Sequence, residues 1–290
     1  MSEIHKSDVQ DNNTTKEFDP DKRIEINGNV QIIESYDPDK RIGSSKSMGT
    51  LSFSERMNLV NERNEKEKTD AIYKDDDGNV YLINGKLQPN TTYKLNGNIY
   101  RTDEKGRIIE CDGKPYLSPE NLRDNDAQTQ AGGMDRKPGD QGGHIIGRDL
   151  NGDGGAGNLV AMDSRINQSD FKRMENDIKG ALSEGKEVST KTELVYRGDS
   201  ERPDIITVKV QVDGKETVYK FDNNLDGALN KEVPENGRNL VKAKIDDTNG
   251  QISSIKEKYD ENGNLSQTTV WITYTKGGEN YRTKVIIENN

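Results

Sequence analysis

The segment that decides the fold is KPGDQGGHIIGRDLNGDGGAGNLVAMDSRIN, residues 137–167. It contains His144, whereas the only other histidine, His5, lies near the start of the chain. Glycines at positions 142, 143, 147, 152, 154, 155 and 157 allow the backbone to approach a ligand closely. Ile145 and Ile146 indicate a buried strand directly after the histidine. We therefore expect His144 at the mouth of a strand beside a glycine-rich loop, either as a structural residue or as part of a site.

A helix is predicted after this segment, from about Ser169 to Ser183. Its apolar residues recur every three or four positions, at Phe171, Met174, Ile178 and Leu182. Ser169 or Asp170 is expected to cap its N-terminus, and Gly185 follows its end. These features are typical of an amphipathic helix that packs one face on a core.

Glu175 interrupts the apolar face of this helix. At 100° per residue it projects about 40° from Phe171, within the apolar stripe. Its stem could pack while its carboxylate reaches solvent, or the carboxylate could turn toward a site. In the second case a cation or a metal-bound water would have to offset its desolvation.

Two other ligand-binding patterns fit the segment poorly. Asp149, Asn151, Asp153 and Gly154 match the first half of a calcium-binding loop, but its twelfth position is Val160 instead of a bidentate glutamate. The phosphate-binding pattern GxxxxGK[ST] does not occur in the chain.

The composition restricts the class of protein. The 290 residues include 42 Lys and Arg against 52 Asp and Glu, giving a net charge of −10. This charge disfavours indiscriminate binding to polyanions but allows basic groups confined to one cleft. A single cysteine, Cys111, excludes an intrachain disulfide and a cysteine zinc cluster. The sequence contains no apolar run long enough for a membrane helix and no classical signal peptide, so no membrane association is expected.

Three regions are predicted along the chain. Residues 1–70 are expected to be a disordered leader, with FDPDKRI from Phe18 and YDPDKRI from Tyr36. The repeats are interpreted as a tethering or recognition segment, or as two strands added to a neighbouring sheet. Residues 71–222 form a domain with a β-meander over 72–111 and a core over 118–185. Residues 223–290 form a C-terminal β extension.

The pairs Asp77-Gly78, Asn84-Gly85, Asn96-Gly97 and Lys105-Gly106 lie where hairpin loops of this meander would fall. Farther along, TTVWITYT and YRTKVIIE flank Gly277-Gly278, which predicts another hairpin and favours a small second β unit.

The order of motifs resembles a known family. DQGGHIIG at 140–147, NLVAM at 158–162 and RIN at 165–167, followed by the helix, resemble the DNA/RNA non-specific endonucleases of the ββα-metal (His-Me finger) superfamily. The resemblance covers residues 100–222. It implies an α+β fold, with a ββα-metal nuclease core on an antiparallel sheet and extra β-hairpins. The implied activity is hydrolysis of phosphodiester bonds in DNA and/or RNA, leaving 5′-phosphates.

The resemblance also implies roles for three residues. His144 corresponds to the general base, Asn167 to the ligand of Mg²⁺ (or Mn²⁺), and Glu175 to the catalytic carboxylate that holds metal-bound waters. The chemistry is consistent, because Mg²⁺ binds hard oxygen and keeps several waters. A neutral imidazole, with an unperturbed pKa near ~6.5, can accept a proton at neutral pH.

The sequence departs from the family at the phosphate-binding position. Better-known relatives read D-R-G-H, whereas Gln141 and Gly142 stand here where the aspartate and arginine would be. Substrate binding must then depend on other cations, and the choice among them is open. The candidates are Arg136, Arg148, Arg165 and Lys179.

Many relatives in this branch are C-terminal toxin modules of secreted bacterial effectors whose producers hold an immunity protein. The resemblance therefore implies a secreted or delivered effector without a classical signal peptide, with a cognate immunity protein as partner; a cytoplasmic protein is the alternative. A non-enzymatic β-rich binding or adhesion protein and an inactive nuclease-like protein are alternative functions. Convergence of His144 and Asn167 would favour the nuclease over the binding protein.

Overall fold

The computed structural model describes residues 71–118 and 124–289. The predicted disordered leader, residues 1–70 with both DPDKRI copies, lies outside this part of the chain. None of the helices described is both long and apolar enough to cross a membrane.

Strands dominate the described chain. The strands are β1 (Ile72–Lys74), β2 (Val80–Ile83), β3 (Lys86–Leu87), β4 (Thr92–Leu95), β5 (Asn98–Thr102), β6 (Ile108–Gly113), β7 (Asp140–His144), β8 (Leu159–Asp163), β9 (Val188–Tyr196), β10 (Pro203–Val212), β11 (Lys215–Asp222), β12 (Gln251–Tyr259), β13 (Leu265–Lys276) and β14 (Glu279–Glu288). The α-helices are α1 (Asn125–Gln130), α2 (Lys172–Ser183) and α3 (Arg238–Thr248).

One large antiparallel sheet carries the fold. Its nine strands lie in the order β14-β13-β12-β11-β10-β9-β6-β5-β4, and β1–β3 form a separate three-stranded sheet. β7 and β8 pair only with each other among the described strands, as an antiparallel hairpin. The predicted α+β class on an antiparallel sheet is confirmed.

The predicted meander turns fall into two kinds. Asn84-Gly85 and Asn96-Gly97 both have positive φ at each residue, as a two-residue type I′ hairpin loop requires. At Gly78 and Gly106 only the glycine has positive φ, because these turns are longer and are closed by Asp75 and Asp103. The meander is also divided, since only β4–β6 join the large sheet.

The segment quoted first folds as strand, loop, strand and helix. β7 ends at His144, so the strand precedes the histidine; the expectation of a strand after it was wrong, although Ile145 and Ile146 are buried. After β8, residues Ile166–Phe171 form a π-helical turn that continues into α2.

The predicted N-cap of the helix at Ser169 or Asp170 was wrong. The π-helical turn continues through both residues, so neither lies at the N-terminal end of the helix. The Ser169 hydroxyl donates back to the carbonyl of Arg165, and Asp170 forms an ion pair with Arg282. At the other end, Gly185 has a φ of +76° and its N–H donates to the carbonyl of Leu182, as expected for a helix terminus.

The β7–β8 hairpin is fastened to the large sheet by buried polar contacts. Asp140, at the start of β7, accepts two hydrogen bonds from Arg202 at 2.7 and 2.9 Å, and both side chains are almost completely buried. Asn223 accepts from the backbone N–H of Asp163 and donates to the carbonyl of Ala161, at 2.8 and 3.0 Å. These contacts fix both strands of the hairpin.

A buried amide closes the loop between β7 and β8. Asn158 has no exposed surface; its Oδ1 accepts from the N–H of Ile146 and from the hydroxyl of Tyr100, both at 3.0 Å. Its Nδ2 donates to the carbonyls of Ile146 and Asp153, at 2.8 and 2.7 Å. All four hydrogen-bonding positions of the amide are therefore used. The loop leaves β7 in one fixed direction as a result.

Aromatic stacking supports the same loop from the sheet. The rings of Tyr81, Tyr93 and Tyr100 stack with centroid separations of 4.8 and 5.2 Å. The Tyr93 hydroxyl donates to the carbonyl of Gly157 at 2.7 Å. The β4–β5 hairpin therefore supplies both packing and hydrogen bonds to the loop.

The large sheet continues across the predicted boundary at residue 222. β12 pairs with β11, and β13 and β14 meet at the predicted Gly277-Gly278 turn, where both glycines have positive φ. This end of the sheet has its own hydrophobic cluster, made by Leu229, Val233, Val241, Ile252, Ile255, Val270, Ile272 and Ile287. α3 lies here and was not predicted from the sequence.

We predict that Asn158→Ala lowers the free energy of unfolding by about 3 kcal/mol or more. The substitution leaves several buried groups without partners, and each such group costs ~1–3 kcal/mol. Urea unfolding followed by Trp271 fluorescence measures the change. Asn176→Ala, at an exposed position of α2, is the matched control and should stay within about 0.5 kcal/mol of the wild type. Equal unfolding midpoints for the two variants would contradict the structural role of Asn158.

Candidate active site

The residues singled out by sequence converge on one cleft. His144, Asn167 and Glu175 all line a cleft of about 590 Å³. His144 is the last residue of β7, Asn167 belongs to the π-helical turn, and Glu175 lies in the first turn of α2. The hairpin and the helix that follows it thus bring together three residues that are separated by up to 31 positions in the sequence.

His144 is positioned by the pairing of the hairpin. It is half-buried and lies opposite Leu159 in the β7–β8 register. The N–H of the next residue, Ile145, donates to the carbonyl of Asn158 at 2.9 Å. The backbone on both sides of the histidine is therefore held, and its ring faces a cleft whose wall is fixed.

The strand reaches this position because Gly142 has no side chain. A Cβ at Gly142 would lie 2.7 Å from the Cα of Gln128 in α1, closer than real Cβ atoms approach backbone. The absence of a side chain lets α1 pack directly on β7, and α1 then supplies Asn125, Gln128 and Thr129 to the wall of the cleft.

Asn167 is held by a side chain from β7. Its Nδ2 donates to Oε1 of Gln141 at 2.8 Å, and both residues line the cleft. Within the described residues its Oδ1 accepts no hydrogen bond. The contact with Gln141 fixes the orientation of the amide and leaves the amide oxygen available as a ligand.

Glu175 is a largely buried carboxylate with cations nearby. Its side chain is 14% exposed, and Lys172 Nζ lies 3.6 Å from Oε2. Burial raises the pKa of Glu175, the charge of Asp149 adds to this rise, and Lys172 and Lys179 oppose it. A Cβ at Gly147 would lie 2.7 Å from Oε1 of Glu175, so the loop closes tightly over this carboxylate.

The donor set fits a hard divalent cation. Among the described residues, no three His, Cys, Asp or Glu side chains gather into a metal-binding group. The cleft instead offers the amide oxygen of Asn167 and the desolvated carboxylate of Glu175. Mg²⁺ tolerates such a site because it takes few protein oxygens and retains water. A cation here would also offset the cost of burying the carboxylate.

The four candidate phosphate-binding cations separate into two pairs. Arg136 and Arg148 line the cleft, whereas Arg165 and Lys179 are not among its lining residues. Arg165 is paired with Asp163 at 2.7 Å, and Lys179 is paired with Asp149.

Arg136 already forms hydrogen bonds with the backbone. It donates to the carbonyls of Gln128, Ala131 and Asp140, at 2.8, 3.1 and 2.7 Å. These bonds join α1 to the start of β7. Lys172, whose side chain is half exposed, also lines the cleft and was not identified from the sequence.

Several residues that hold the site were not predicted from the sequence. Gln141 was noted only as a departure from the family pattern, and Asn158 only as a letter of a motif. Asp140 and Arg202 are 62 positions apart, and no local pattern links them. The burial of a charged pair is visible only in three dimensions. A polar residue directly before two buried strand residues, as in Asn158, is the one signal that could have been used.

Part of the chain is similar in sequence to known proteins. Residues 89–214 match the family model described as DNA/RNA non-specific endonuclease. The chain is 39% identical over 150 residues to the type VII secretion system protein EssD of Staphylococcus aureus strains USA300 and NCTC 8325 / PS 47. This alignment covers 48% of the chain and 24% of either relative, so the chain spans about a quarter of their length. The matched region contains β7, β8, the π-helical turn and α2, so the elements that carry His144, Asn167 and Glu175 lie within the residues that match the DNA/RNA non-specific endonuclease family.

Proposed function

We propose that this protein is a divalent-metal-dependent nuclease that hydrolyses phosphodiester bonds of DNA, RNA or both. The observation that carries the proposal is the convergence of His144, Asn167 and Glu175 on one cleft. They come from β7, the π-helical turn and α2, all within the residues that match the endonuclease family. A β-rich binding protein would not require a histidine, an oriented amide and a desolvated carboxylate in the same place.

His144 is the proposed general base. A water at the cleft side of the imidazole gives up its proton as its oxygen attacks phosphorus, and proton transfer of this kind contributes ~10² to 10⁴-fold. The half-buried position of His144 and the fixed backbone on both sides keep the ring in one place. The bond from phosphorus to the leaving oxygen of the sugar breaks as the new bond forms.

Asn167 and Glu175 are the proposed residues for Mg²⁺ or Mn²⁺. The bound cation would supply positive charge for the phosphate and the leaving oxygen. Asn167 presents its amide oxygen, oriented by Gln141. Glu175 accepts hydrogen bonds from water in the cleft and balances the charge there. Because its carboxylate is largely buried, solvent screens the interaction of its negative charge with a cation in the cleft less than it would for an exposed side chain.

Arg148 and Lys172 are the proposed phosphate contacts. Both line the cleft. Among the described residues, its lining contains two carboxylates, Asp149 and Glu175, and three cations, Arg136, Arg148 and Lys172. The chain as a whole carries a net charge of −10. Concentrating cations at the cleft draws a polyanion to the site while the remaining surface repels it.

The relatives support a role as a secreted bacterial effector. EssD is named a type VII secretion system protein. We infer that the present chain is likewise exported as a toxin, and that a producing cell holds an immunity protein that blocks the cleft. Cytoplasmic expression of the wild type, compared with His144→Ala, tests whether nuclease activity is toxic to a bacterium.

His144→Ala should lower the rate of plasmid cleavage by at least ~100-fold, because the water then lacks its general base. The assay uses purified protein with Mg²⁺, an EDTA control and circular dichroism to verify folding. His5→Ala removes the other histidine and should cleave at the wild-type rate. Full activity in folded His144→Ala protein would exclude His144 as the base.

Asn167→Ala should abolish metal-dependent cleavage, and Gln141→Leu should raise the Mg²⁺ concentration for half-maximal activity by ~10-fold, as expected for loss of a ligand-orienting contact. Gln141→Glu keeps an oxygen acceptor facing Nδ2 of Asn167 and should retain the wild-type metal dependence. Cleavage rates measured against Mg²⁺ concentration distinguish the variants. Identical curves for Gln141→Leu and the wild type would contradict the orienting role.

Glu175→Gln should reduce cleavage by ~10 to 100-fold without lowering the melting temperature, because the neutral amide has less desolvation cost than the buried carboxylate. Glu184→Gln, at the exposed end of α2, serves as the control and should change neither quantity. Wild-type cleavage by Glu175→Gln would indicate that the carboxylate only packs against the core.

A further inference from the structure

One side of the π-helical turn and of α2 faces the C-terminal strands instead of the cleft. Asp170, Arg173 and Asp177 are spaced three and four positions apart and therefore lie along one stripe of the helix. Asp177 Oδ2 lies 2.7 Å from Nζ of Lys256 in β12 and 2.8 Å from the hydroxyl of Tyr219 in β11. The stripe thus contacts the sheet through polar groups.

The other two members of the stripe contact β13 and β14. Asp170 forms an ion pair with Arg282 of β14. The guanidinium of Arg173 lies 4.0 Å from the ring centroid of Trp271 in β13, and that of Arg282 lies 4.3 Å from the same centroid. Lys284 lies at the edge of this group, 5.3 Å from the centroid. Cation–π contacts of partly desolvated groups such as these are stabilising.

The Asp170–Arg282 pair is the most buried of these contacts. The side chain of Asp170 is 4% exposed and that of Arg282 is 22% exposed. Burial raises the pKa of Asp170, whereas the charges of Arg282 and Arg173 oppose the rise. Without Arg282, Asp170 would keep only part of the positive charge that offsets the burial of its carboxylate. The carboxylate would then have to take up a proton, or the turn that carries it would have to move.

That turn is the one that carries Asn167, three residues before Asp170. Its π-helical geometry is intrinsically poor, because hydrogen bonds of this type are less favourable than those of an α-helix. Its N-terminus has no side-chain cap. The turn therefore depends on contacts from outside, and Arg282 provides a charged one from a strand that lies beyond the family match at residues 89–214.

We propose that Arg282 is a positioning residue for the metal site, and that the C-terminal strands hold the turn that presents Asn167. The inference rests on the proposed function, in which the Asn167 amide oxygen binds a divalent cation. It assigns residues 251–288 a part in the nuclease site, although none of them lines the cleft.

The test measures Mn²⁺ binding by calorimetry, with no nucleic acid present. It uses the full chain carrying His144→Ala, so that the expressed protein is inactive. Arg282→Leu removes the ion pair. Arg282→Lys retains the charge, and Lys284→Ala is the matched control because Lys284 touches Trp271 without contacting the π-helical turn. If Arg282→Leu fails to fold, the double variant Asp170→Asn/Arg282→Gln removes both charges and leaves no unpaired carboxylate.

We expect Arg282→Leu, or the double variant, to bind Mn²⁺ ~10-fold more weakly. Arg282→Lys should recover part of the affinity, and Lys284→Ala should match the parent. On an active background, the KM for nucleic acid at saturating metal should not change. Weaker Mn²⁺ binding with an unchanged KM for nucleic acid would not arise from a loss of stability alone.

Two results would overturn the inference while leaving the proposed function intact. One is equal Mn²⁺ affinity for Arg282→Leu and Lys284→Ala when Asn167→Ala has lost binding. The other is a raised KM for nucleic acid in both Arg282→Leu and Lys284→Ala with unchanged metal affinity, which would make the cation group a substrate contact. Unchanged Mn²⁺ affinity in Asn167→Ala would instead overturn the proposed metal ligand, and the inference with it.

Discussion

The candidate site depends on the hydrogen bonds of the Asn158 side-chain amide. A loop rich in glycine has little intrinsic preference for one conformation, and ordering it costs more backbone entropy than ordering other residues. Asn158 compensates by bonding both backbone groups of Ile146, two residues after His144, and the carbonyl of Asp153 in the loop. Its bond to Tyr100 connects that loop to the large sheet. The direction in which the chain leaves His144 is thus set by a buried hydrogen-bond centre instead of by the conformational preferences of the loop's glycines.

The cleft combines permissive backbone with restrictive side chains. Gly142 admits α1 against β7, and Gly147 admits the loop against Glu175. The polar side chains do the opposite, since the pairs Asp140–Arg202 and Gln141–Asn167 each fix one orientation. A hydrolytic site needs both properties, because a substrate phosphate must approach the backbone closely while the reacting groups stay fixed.

The sequence predicted what short-range patterns can carry. Alternating strands with Asn-Gly turns indicated the meander, and the spacing of apolar residues indicated α2. His144 and Glu175 stood out from the glycine-rich segment and from the apolar face of the helix, whereas Asn167 was named because of the family resemblance, and all three line one cleft. The missed features depend on long-range pairing. The helix begins earlier than its capping signals suggest because Asp170 is paired with Arg282, 112 positions away. An isolated helix would use such an aspartate as a cap, and tertiary burial overrides that preference here.

The continuity of the large sheet changes how the C-terminal extension should be understood. A separate hydrophobic cluster packs under β12–β14, which is typical of an appended unit. The strands nevertheless pair directly with β11, and their opposite face meets the helix that follows the hairpin. The π-helical turn of that helix is therefore held from two sides, by Gln141 from the hairpin and by Arg282 from β14. Two constraints on one short turn leave the amide oxygen of Asn167 little freedom, which is the pre-organisation that its proposed role as a metal ligand requires.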